Sequence, residues 1–423
     1  MNLIKSKFSF LYRHKFIRNI LLVISGTASA QAIGLAVMPL ITRLYAPTEF
    51  GVLGTFTALC SAIIPVVALT YPIAIVIAET ELEAKKIAIL STFIGLLLSC
   101  FSTILLLIFG EQIMLLFNLE GIRSFIYLVP IVMALATLNQ VGRQWSIKNG
   151  SYKVLITSTI SQALFVNLSR LAVGLTFPMS VVLIATYVFG NIIASTLLAF
   201  NLIKTIWRSF FSITIFELKK VAIKYIDFPK YRAPQVALNA FSESMPVLFL
   251  SVYFDSESVG FYALARLTLG VPIGLIGQSV SDVFFPKFAG NSGTKCQKKK
   301  LLVRVSVVVA VLAAPVFTLL SFYAPVIYRV VFGNDWEGAG QFAGYMSIWL
   351  FFVLVSKPAI SVIPALKLQR FFLLFEFFSL QIKFLAIYIG YISFNESLMS
   401  VAYLSFVSSA CYLYLLGYIY IKS

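Results

Sequence analysis

The stretch that decides the fold runs from Phe228 to Pro286 and opens with Phe228-Pro229-Lys230-Tyr231-Arg232-Ala233-Pro234, a polar and basic segment. A long apolar segment follows, and after a short break at residues 255–258 comes a second one, which contains Arg266 and a series of glycines. Each segment has the roughly 20 apolar residues that a helix needs to cross a bilayer. Similar segments fill the chain on both sides, so its middle is also where a second half begins.

The composition indicates an integral membrane protein. The chain is 60% hydrophobic and only 12% charged, whereas a soluble domain is about 45–50% apolar and about 25% charged. Its mean hydropathy is +0.94. The net charge of +17 could suggest nucleic acid in a soluble protein, but the basic residues lie in loops between apolar segments. In that position they orient membrane spans, so we expect no nucleic-acid partner.

We predict an all-α polytopic membrane protein with twelve transmembrane helices. The predicted spans are residues 19–41, 52–78, 87–109, 124–142, 154–176, 180–203, 233–254, 259–286, 301–322, 339–356, 370–394 and 398–421. The N-terminal tail, alternate loops and the C-terminus hold 26 of the 33 Lys and Arg residues, while the opposite loops hold three. Basic residues accumulate on the cytoplasmic side of membrane proteins, so both termini are predicted to be cytoplasmic.

The spans divide into two predicted bundles of six helices. Residues 1–203 form the N-terminal bundle and residues 233–423 the C-terminal bundle. Residues 204–232, which alternate basic and bulky apolar side chains, form a cytoplasmic amphipathic linker at the membrane interface. This linker either contacts anionic lipid or a partner, or simply joins the halves. The two halves show a weak internal similarity, between Phe50-Gly51-Val52-Leu53 and Val259-Gly260-Phe261-Tyr262. Parallel repeats of this kind occur in secondary transporters, where the substrate path lies between the repeats.

Polar side chains inside the spans are the candidate functional residues. A charge at the centre of a bilayer costs roughly 2.5–3.5 kcal/mol on insertion scales, so it usually faces water or a partner. Arg170 shares one helix face with Gln162 and Asn167, which predicts either a cavity lining or a structural pair with a carboxylate. Arg266 shares a face with glycines at positions 270 and 274, which either line a cavity or allow close helix packing.

Two intramembrane acids are candidates for ion coupling. Glu376 and Lys383 are seven residues apart in the eleventh span and therefore lie on one face, and Glu243 lies in the seventh span. A carboxylate inside a membrane can take part in a proton relay, so Glu243 and Glu376 could couple transport to an ion. The spans contain more positive than negative charge, which favours an anionic substrate such as a diphosphate headgroup.

The sequence shows no sign of an enzyme, a metal site or a cofactor. No phosphate-binding Gly-x-x-x-x-Gly-Lys-Ser/Thr loop is present, and the acids of the external loops are dispersed. The four cysteines have no metal-site spacing, and the single histidine, His14, lies in the basic N-terminal tail. We therefore predict no catalytic residues, no bound metal and no cofactor.

Several motifs in fixed order carry a family resemblance. They lie at residues 39–47, 50–51, 71–75, 228–234, 244–248, 260–266, 277–280, 283–286, 332–333 and 336. In these blocks the sequence resembles the Wzx-type O-antigen and capsule flippases of the multidrug/oligosaccharidyl-lipid/polysaccharide exporter superfamily. Spans eleven and twelve carry no motif of that family. Arg43 and Arg266 fall within the family blocks.

The resemblance implies a fold and a function. The fold is two six-helix bundles around a central cavity. The function is the transfer of polyprenyl-diphosphate-linked oligosaccharide from the cytoplasmic to the periplasmic leaflet of a bacterial inner membrane, by alternating access and with ion antiport as one form of coupling. Membrane lipids surround such a flippase, and a polysaccharide polymerase and a chain-length regulator are its expected protein partners.

A substrate site follows from these residues as a hypothesis. The diphosphate is expected to meet the cationic side chains, and the sugar is expected to lie in a polar cavity. The substrate-binding candidates are Arg43, Gln162, Asn167, Arg170, Asn239, Arg266, Gln278 and Lys383. The alternatives are a multidrug/cation antiporter of the same superfamily and a membrane polysaccharide polymerase or ligase. The antiporter would favour an acidic cavity, and the polymerase would show a long external loop.

Overall fold

The computed structural model describes residues 15–116, 120–210, 213–289 and 295–423, and these residues fold almost entirely into helices. The helices are α1 (Lys15–Thr42), α2 (Pro47–Ile63), α3 (Ala74–Ile77), α4 (Glu81–Leu116), α5 (Val129–Lys148), α6 (Tyr152–Gly174), α7 (Ser180–Phe210), α8 (Ile215–Lys224), α9 (Ala233–Tyr253), α10 (Ser256–Ala289), α11 (Lys295–Phe332), α12 (Glu337–Ser361), α13 (Gln369–Phe394) and α14 (Ser397–Lys422).

The helices match the predicted spans in number and order. Eleven helices in the described part of the chain are long and apolar enough to cross a membrane, and α1 occupies the position of the first predicted span. Helices α3 and α8 are too short to cross. The predicted fold class, an all-α polytopic membrane protein, is confirmed.

The second predicted span is not one continuous helix. After Ile63 the chain forms a short 3-10 turn, and Leu69 and Thr70 then take backbone φ angles of 49° and 58°. These angles lie in the left-handed region, which residues other than glycine seldom adopt. Pro65 and Pro72 lack the N–H that a continuous helix requires. The break therefore follows from two prolines within a stretch that hydropathy alone assigns to one span.

Side chains from α5 satisfy carbonyl groups next to this break. The Gln140 amide Nε2 donates to the Ile64 carbonyl at 2.7 Å, and the Lys148 ammonium donates to the Ala78 carbonyl at 2.7 Å. Carbonyls released from a helix need such partners where water is scarce. Helix α5 thus stabilises the interrupted backbone between α2 and α4.

The chain packs into two compact units that are not consecutive in sequence. The first unit contains the residues up to Leu44 and Leu59–Ala240, and the second contains Tyr45–Ala58 and Phe241–Ser423. Helix α2 therefore begins in the second unit and ends in the first, whereas α9 begins in the first and ends in the second. As a division into domains, the bundles 1–203 and 233–423 with their linker stay a prediction.

In the first unit, close helix packing joins the early spans. Helix α1 packs on α6, α6 and α5 pack on α7, and α4 packs on α5. A Cβ atom added at Gly26 would lie 2.8 Å from Cγ2 of Ile156, so α1 approaches α6 closely at this residue. Small residues on one helix permit such an approach.

The short helix α8 packs against the first unit beside the start of α4. Thr214 caps its N-terminus, and Glu217 completes the capping box. The Lys86 ammonium lies 2.7 Å from a Glu217 carboxylate oxygen, and the Lys224 ammonium lies 2.6 Å from a Glu83 carboxylate oxygen. The Tyr71 hydroxyl donates to the Ala222 carbonyl at 3.0 Å. The helix therefore has a defined orientation against this unit.

In the second unit, α12 is the central helix. It packs against α10, α11 and α14, and α13 packs against α14. The hydroxyl of Ser321 on α11 and the hydroxyl of Ser347 on α12 form a hydrogen bond, with their oxygens 2.7 Å apart. A polar pair of this kind joins neighbouring helices where no water is available.

The beginnings of α2 and α10 meet within the second unit in a reciprocal contact. A Cβ atom at Gly51 would lie 1.6 Å from the Ser256 carbonyl oxygen, and one at Gly260 would lie 2.0 Å from the Pro47 carbonyl oxygen. Only glycine permits backbones to approach so closely. The sequence spacing from Pro47 to Ser256 equals that from Gly51 to Gly260, so the two contacts are equivalents under a local two-fold relation. The weak internal similarity between the halves thus has a structural counterpart.

Candidate functional site

The second unit brings four predicted site residues together. Arg266 of α10, Glu243 of α9, and Glu376 and Lys383 of α13 interact electrostatically within it. We call these four residues the charge cluster. Two of them were predicted to bind an anionic substrate and two to couple transport to an ion. Their assignment to these roles stays a prediction, but their proximity is a property of the fold.

Arg266 is held loosely by its acidic partner. Its Nη2 atom lies 3.8 Å from the Glu243 carboxylate, which exceeds hydrogen-bond distance. The Glu243 side chain is 69% exposed and that of Arg266 is 30% exposed. An ion pair this open to its surroundings is weak, so the guanidinium can exchange Glu243 for another anion.

Aromatic rings of two other helices complete the surroundings of the cations. The Arg266 guanidinium carbon lies 5.8 Å from the centroid of the Trp349 ring on α12. The Lys383 ammonium lies 5.3 Å from the centroid of the Tyr412 ring on α14. Both distances fall within the range of cation–π attraction. These rings hold the cations without neutralising their charge.

Two buried donors near Arg266 lack ordinary hydrogen bonds. Within the described part of the chain, the Trp349 indole nitrogen and the Tyr262 hydroxyl are buried without a partner of good geometry. Tyr262 is fully buried one helical turn before Arg266, with which it interacts electrostatically. A buried donor without an acceptor carries a free-energy cost. Both atoms are covered by protein, so an anion at Arg266 would contact them only after a change in packing.

The helix face that continues from Arg266 is open. Cβ atoms added at Gly270 and Gly274 would meet no atom within 4 Å, whereas one at Gly277 would lie 2.8 Å from the Lys357 side chain. Gly270 and Gly274 therefore do not serve close helix packing, which was one of the two interpretations of this glycine series. The space beside them is not filled by other protein atoms.

In the first unit, the predicted polar face of α6 meets other helices. Arg170 is buried, and it donates to the Thr186 hydroxyl at 3.2 Å and to the Leu183 carbonyl at 3.3 Å, both on α7. Asn167 is also buried and donates to the Ala163 carbonyl at 2.7 Å. The hydrogen bonds of Arg170 tie α6 to α7, and a substrate role for Arg170 stays a prediction.

Of the four remaining candidates, the structure describes the side chains of three. The aliphatic stem of Gln162 packs beside Gly190 of α7, where an added Cβ would lie 3.4 Å from its Cγ. Arg43 and Asn239 are exposed. The side chain of Gln278 lies outside the described residues. A substrate-binding role for these four residues stays a prediction.

The aromatic members of the site were not predicted from the sequence. Trp349 and Tyr412 lie in spans ten and twelve, among many other aromatic residues. Neither has a sequence neighbour that marks it. Only the packing of α10, α12, α13 and α14 distinguishes these two rings from the rest.

Comparison with known proteins assigns the family. The profile of a family described as polysaccharide biosynthesis protein matches residues 40–341, well over half of the chain. The amylovoran biosynthesis protein AmsL of Erwinia amylovora is 22% identical over 119 residues, which are 28% of this chain and 31% of that protein. This chain therefore matches less than a third of that relative's length.

Solved structures share the fold at low sequence identity. The lipid II flippase MurJ in an inward closed conformation has a TM-score of 0.70 and 16% identity, covering 95% of this chain and 88% of its own. An inward-facing multidrug resistance MATE family transporter of the MOP superfamily has a TM-score of 0.69 and 14% identity, covering 95% and 98%. At such identities these similarities concern the fold alone. With the family profile, they show that the chain belongs to the polysaccharide biosynthesis protein family and has the fold of the MOP superfamily.

Proposed function

We propose that the protein is a flippase for polyprenyl-diphosphate-linked oligosaccharide repeat units of the O-antigen or capsule type. It moves them from the cytoplasmic to the periplasmic leaflet of a bacterial inner membrane by alternating access. The family assignment supports a role in polysaccharide biosynthesis, and the fold shared with a lipid II flippase supports a lipid-linked substrate. Both termini are cytoplasmic in this proposal, and a polymerase and a chain-length regulator act beside the flippase.

One observation carries the proposal for this chain: the donors around Arg266. The guanidinium is only loosely paired, two buried donors beside it lack ordinary hydrogen bonds, and the adjoining glycine face is open. A diphosphate offers several anionic acceptor oxygens to such a set. In this proposal Arg266, with Lys383 nearby, binds the diphosphate, while the lipid tail remains in the bilayer.

The test is complementation of a deletion strain at matched protein level. We expect Arg266→Ala and Lys383→Ala each to lower polysaccharide export at least about tenfold, because a charge-assisted contact to the substrate is lost. Arg370→Ala is the matched control, since Arg370 is an exposed cation at the start of α13. The defective strains should accumulate single repeat units on the cytoplasmic side. Export by both variants at the level of the control would refute the proposed site.

Ion coupling is proposed for the acids of the charge cluster. Glu243 neutralises Arg266 in part, so protonation of its carboxylate, or its binding of a cation, would release Arg266 for the diphosphate. We expect Glu243→Gln to retain substrate binding but to lose the dependence of transport on an ion gradient. Flipping by reconstituted protein, measured with and without imposed H⁺ and Na⁺ gradients, checks this. An unchanged gradient dependence in the variant would remove Glu243 from the mechanism.

The multidrug/cation antiporter remains the second candidate, because the multidrug transporter of the same fold is structurally close. In that case Glu243 and Glu376 would bind the cationic drug. Expression in a host that lacks its own pumps separates the two functions. Drug resistance without rescue of a polysaccharide-export mutant would establish the antiporter.

A further inference from the structure

Helix α8 presents two opposite apolar faces. At 100° per residue, Leu218, Val221 and Tyr225 lie on the side that packs against the first unit. Phe216 and Ile223 lie at the centre of the opposite side, where they are 65% and 61% exposed. A helix that only joined two bundles would need the inner face alone. The outer apolar face therefore requires its own explanation.

Lysines flank the outer face on both sides. Lys219 and Lys220 are exposed. On a helical wheel, Lys219 lies about 40° from Ile223, and Lys220 lies about 40° from Phe216 on the other side. The Lys220 ammonium lies 4.5 Å from the Phe216 ring centroid. The acid of this helix, Glu217, points elsewhere and pairs with Lys86. The outer face therefore combines exposed apolar groups with positive charge only.

The position of α8 indicates what this face meets. Its contacts with Tyr71 and with the start of α4 place it beside the end of the second predicted span and the beginning of the third. Apolar residues flanked by lysines are typical of helices that lie in the membrane interface, with the lysine stems extended toward the headgroups. Negatively charged headgroups complement the lysines.

We propose that the outer face of α8 binds the anionic lipid surface of the leaflet beside it. Phe216 and Ile223 insert below the headgroups, and Lys219 and Lys220 contact the anionic headgroups. The ion pairs of Glu217 and Lys224 with α4 hold the helix in the orientation that this contact requires. This inference is independent of the transported substrate.

Hydrogen exchange of the full-length protein in nanodiscs tests the proposal. One lipid composition is phosphatidylcholine alone, and the other is phosphatidylcholine in which about one lipid in three is the anionic phosphatidylglycerol. We expect amides of α8 to exchange at least about tenfold more slowly with the anionic lipid, because bound helices open less often. Equal exchange in both compositions would overturn the proposal.

Matched variants separate the contributions. Lys219→Gln with Lys220→Gln should abolish the effect of anionic lipid, and Phe216→Ser with Ile223→Ser should weaken protection in both compositions. Lys299→Gln with Lys300→Gln is the control, because these are two adjacent exposed lysines on α11. An anionic-lipid effect that survives in the first variant, or protection of α8 that appears only with a soluble protein added, would also contradict the proposal.

Discussion

The indole of Trp349 shows how a single donor can be tested apart from its ring. Replacing Trp349 with Phe removes the buried N–H but retains an aromatic face near Arg266. If the N–H binds the substrate, we expect export to fall about threefold to tenfold, the effect of one hydrogen bond. Export per molecule of inserted protein is the measurement.

Trp145→Phe supplies the matched comparison. The Trp145 indole nitrogen is also buried without a hydrogen bond in the described part of the chain. It lies in the hydrophobic core that α3, α4, α5 and α8 form in the first unit. Its loss should leave export per molecule unchanged. Equal losses in the two variants would show that the indole of Trp349 has a packing role only.

Residues of the site differ in how far the sequence could predict them. Arg266, Lys383, Glu243 and Glu376 could be found because charges inside apolar spans are costly and therefore conspicuous. Trp349 could not, because an aromatic residue in a span carries no such cost. The polar face of α6 was found by its helical spacing, but its bonds to Thr186 and Leu183 depend on how α7 packs.

Among the helices, the reciprocal contact of α2 and α10 gives a stability prediction. Gly51→Ala or Gly260→Ala places a methyl group against a backbone carbonyl, so one helix must shift. Overpacking of this kind costs about 1–3 kcal/mol, and we expect a lower thermal midpoint in detergent. Gly417→Ala is the control, since a Cβ there meets nothing within 4 Å. If the Gly51 or Gly260 variant has the same thermal midpoint as the Gly417 variant, the contact is contradicted.

The attachment of α8 has a defined pH dependence. The hydrogen bond from Lys86 lowers the pKa of Glu217, and the hydrogen bond to Glu83 raises the pKa of Lys224. The Glu217 contribution is complete above the ordinary glutamate pKa and is lost as pH falls through the lowered value. The Lys224 contribution is complete below the ordinary lysine pKa and is lost as pH rises through the raised value.

Both attachments should therefore persist across the neutral range. We expect α8 amides, corrected for intrinsic exchange rates, to lose protection in acid and again in strong base. In Glu217→Gln the acid loss should be smaller but not absent, because Glu83, whose pKa the hydrogen bond from Lys224 lowers, still titrates. An acid transition of unchanged size in Glu217→Gln would show that Glu217 does not contribute to it.

The elements themselves were largely predictable because hydropathy fixes span length. All twelve predicted spans coincide with helical segments of the structure. The interruption between Ile63 and Ala74 was missed because the apolar run continues through Pro65 and Pro72. Its carbonyl partners, Gln140 and Lys148, lie on a helix distant in sequence.

For the whole molecule, the distribution of basic residues predicts topology. The N-terminal tail and the loops predicted to share its side of the membrane hold most of the Lys and Arg residues outside the predicted spans. We expect a fluorescent protein fused after Ser423 to fluoresce, which requires a cytoplasmic location. Alkaline phosphatase fused within the turn Asn334–Trp336, between α11 and α12, should be active because that turn is predicted to be periplasmic.

The reverse pattern would invert the topology. Fluorescence from a reporter in the Asn334–Trp336 turn, with phosphatase activity at the C-terminus, would place both termini outside. The proposed direction of transport would then fail with it. An intact signal at both sites would instead indicate mixed insertion.

The paired glycines at the starts of α2 and α10 have a consequence for the origin of the chain. A half-length protein that dimerised about a two-fold axis would form both contacts from one glycine, because symmetry repeats every interaction. After duplication and fusion of its gene, each copy would have to keep its own glycine to preserve the pair. Gly51 and Gly260 occupy equivalent positions in the two halves, whereas few of the residues around them match.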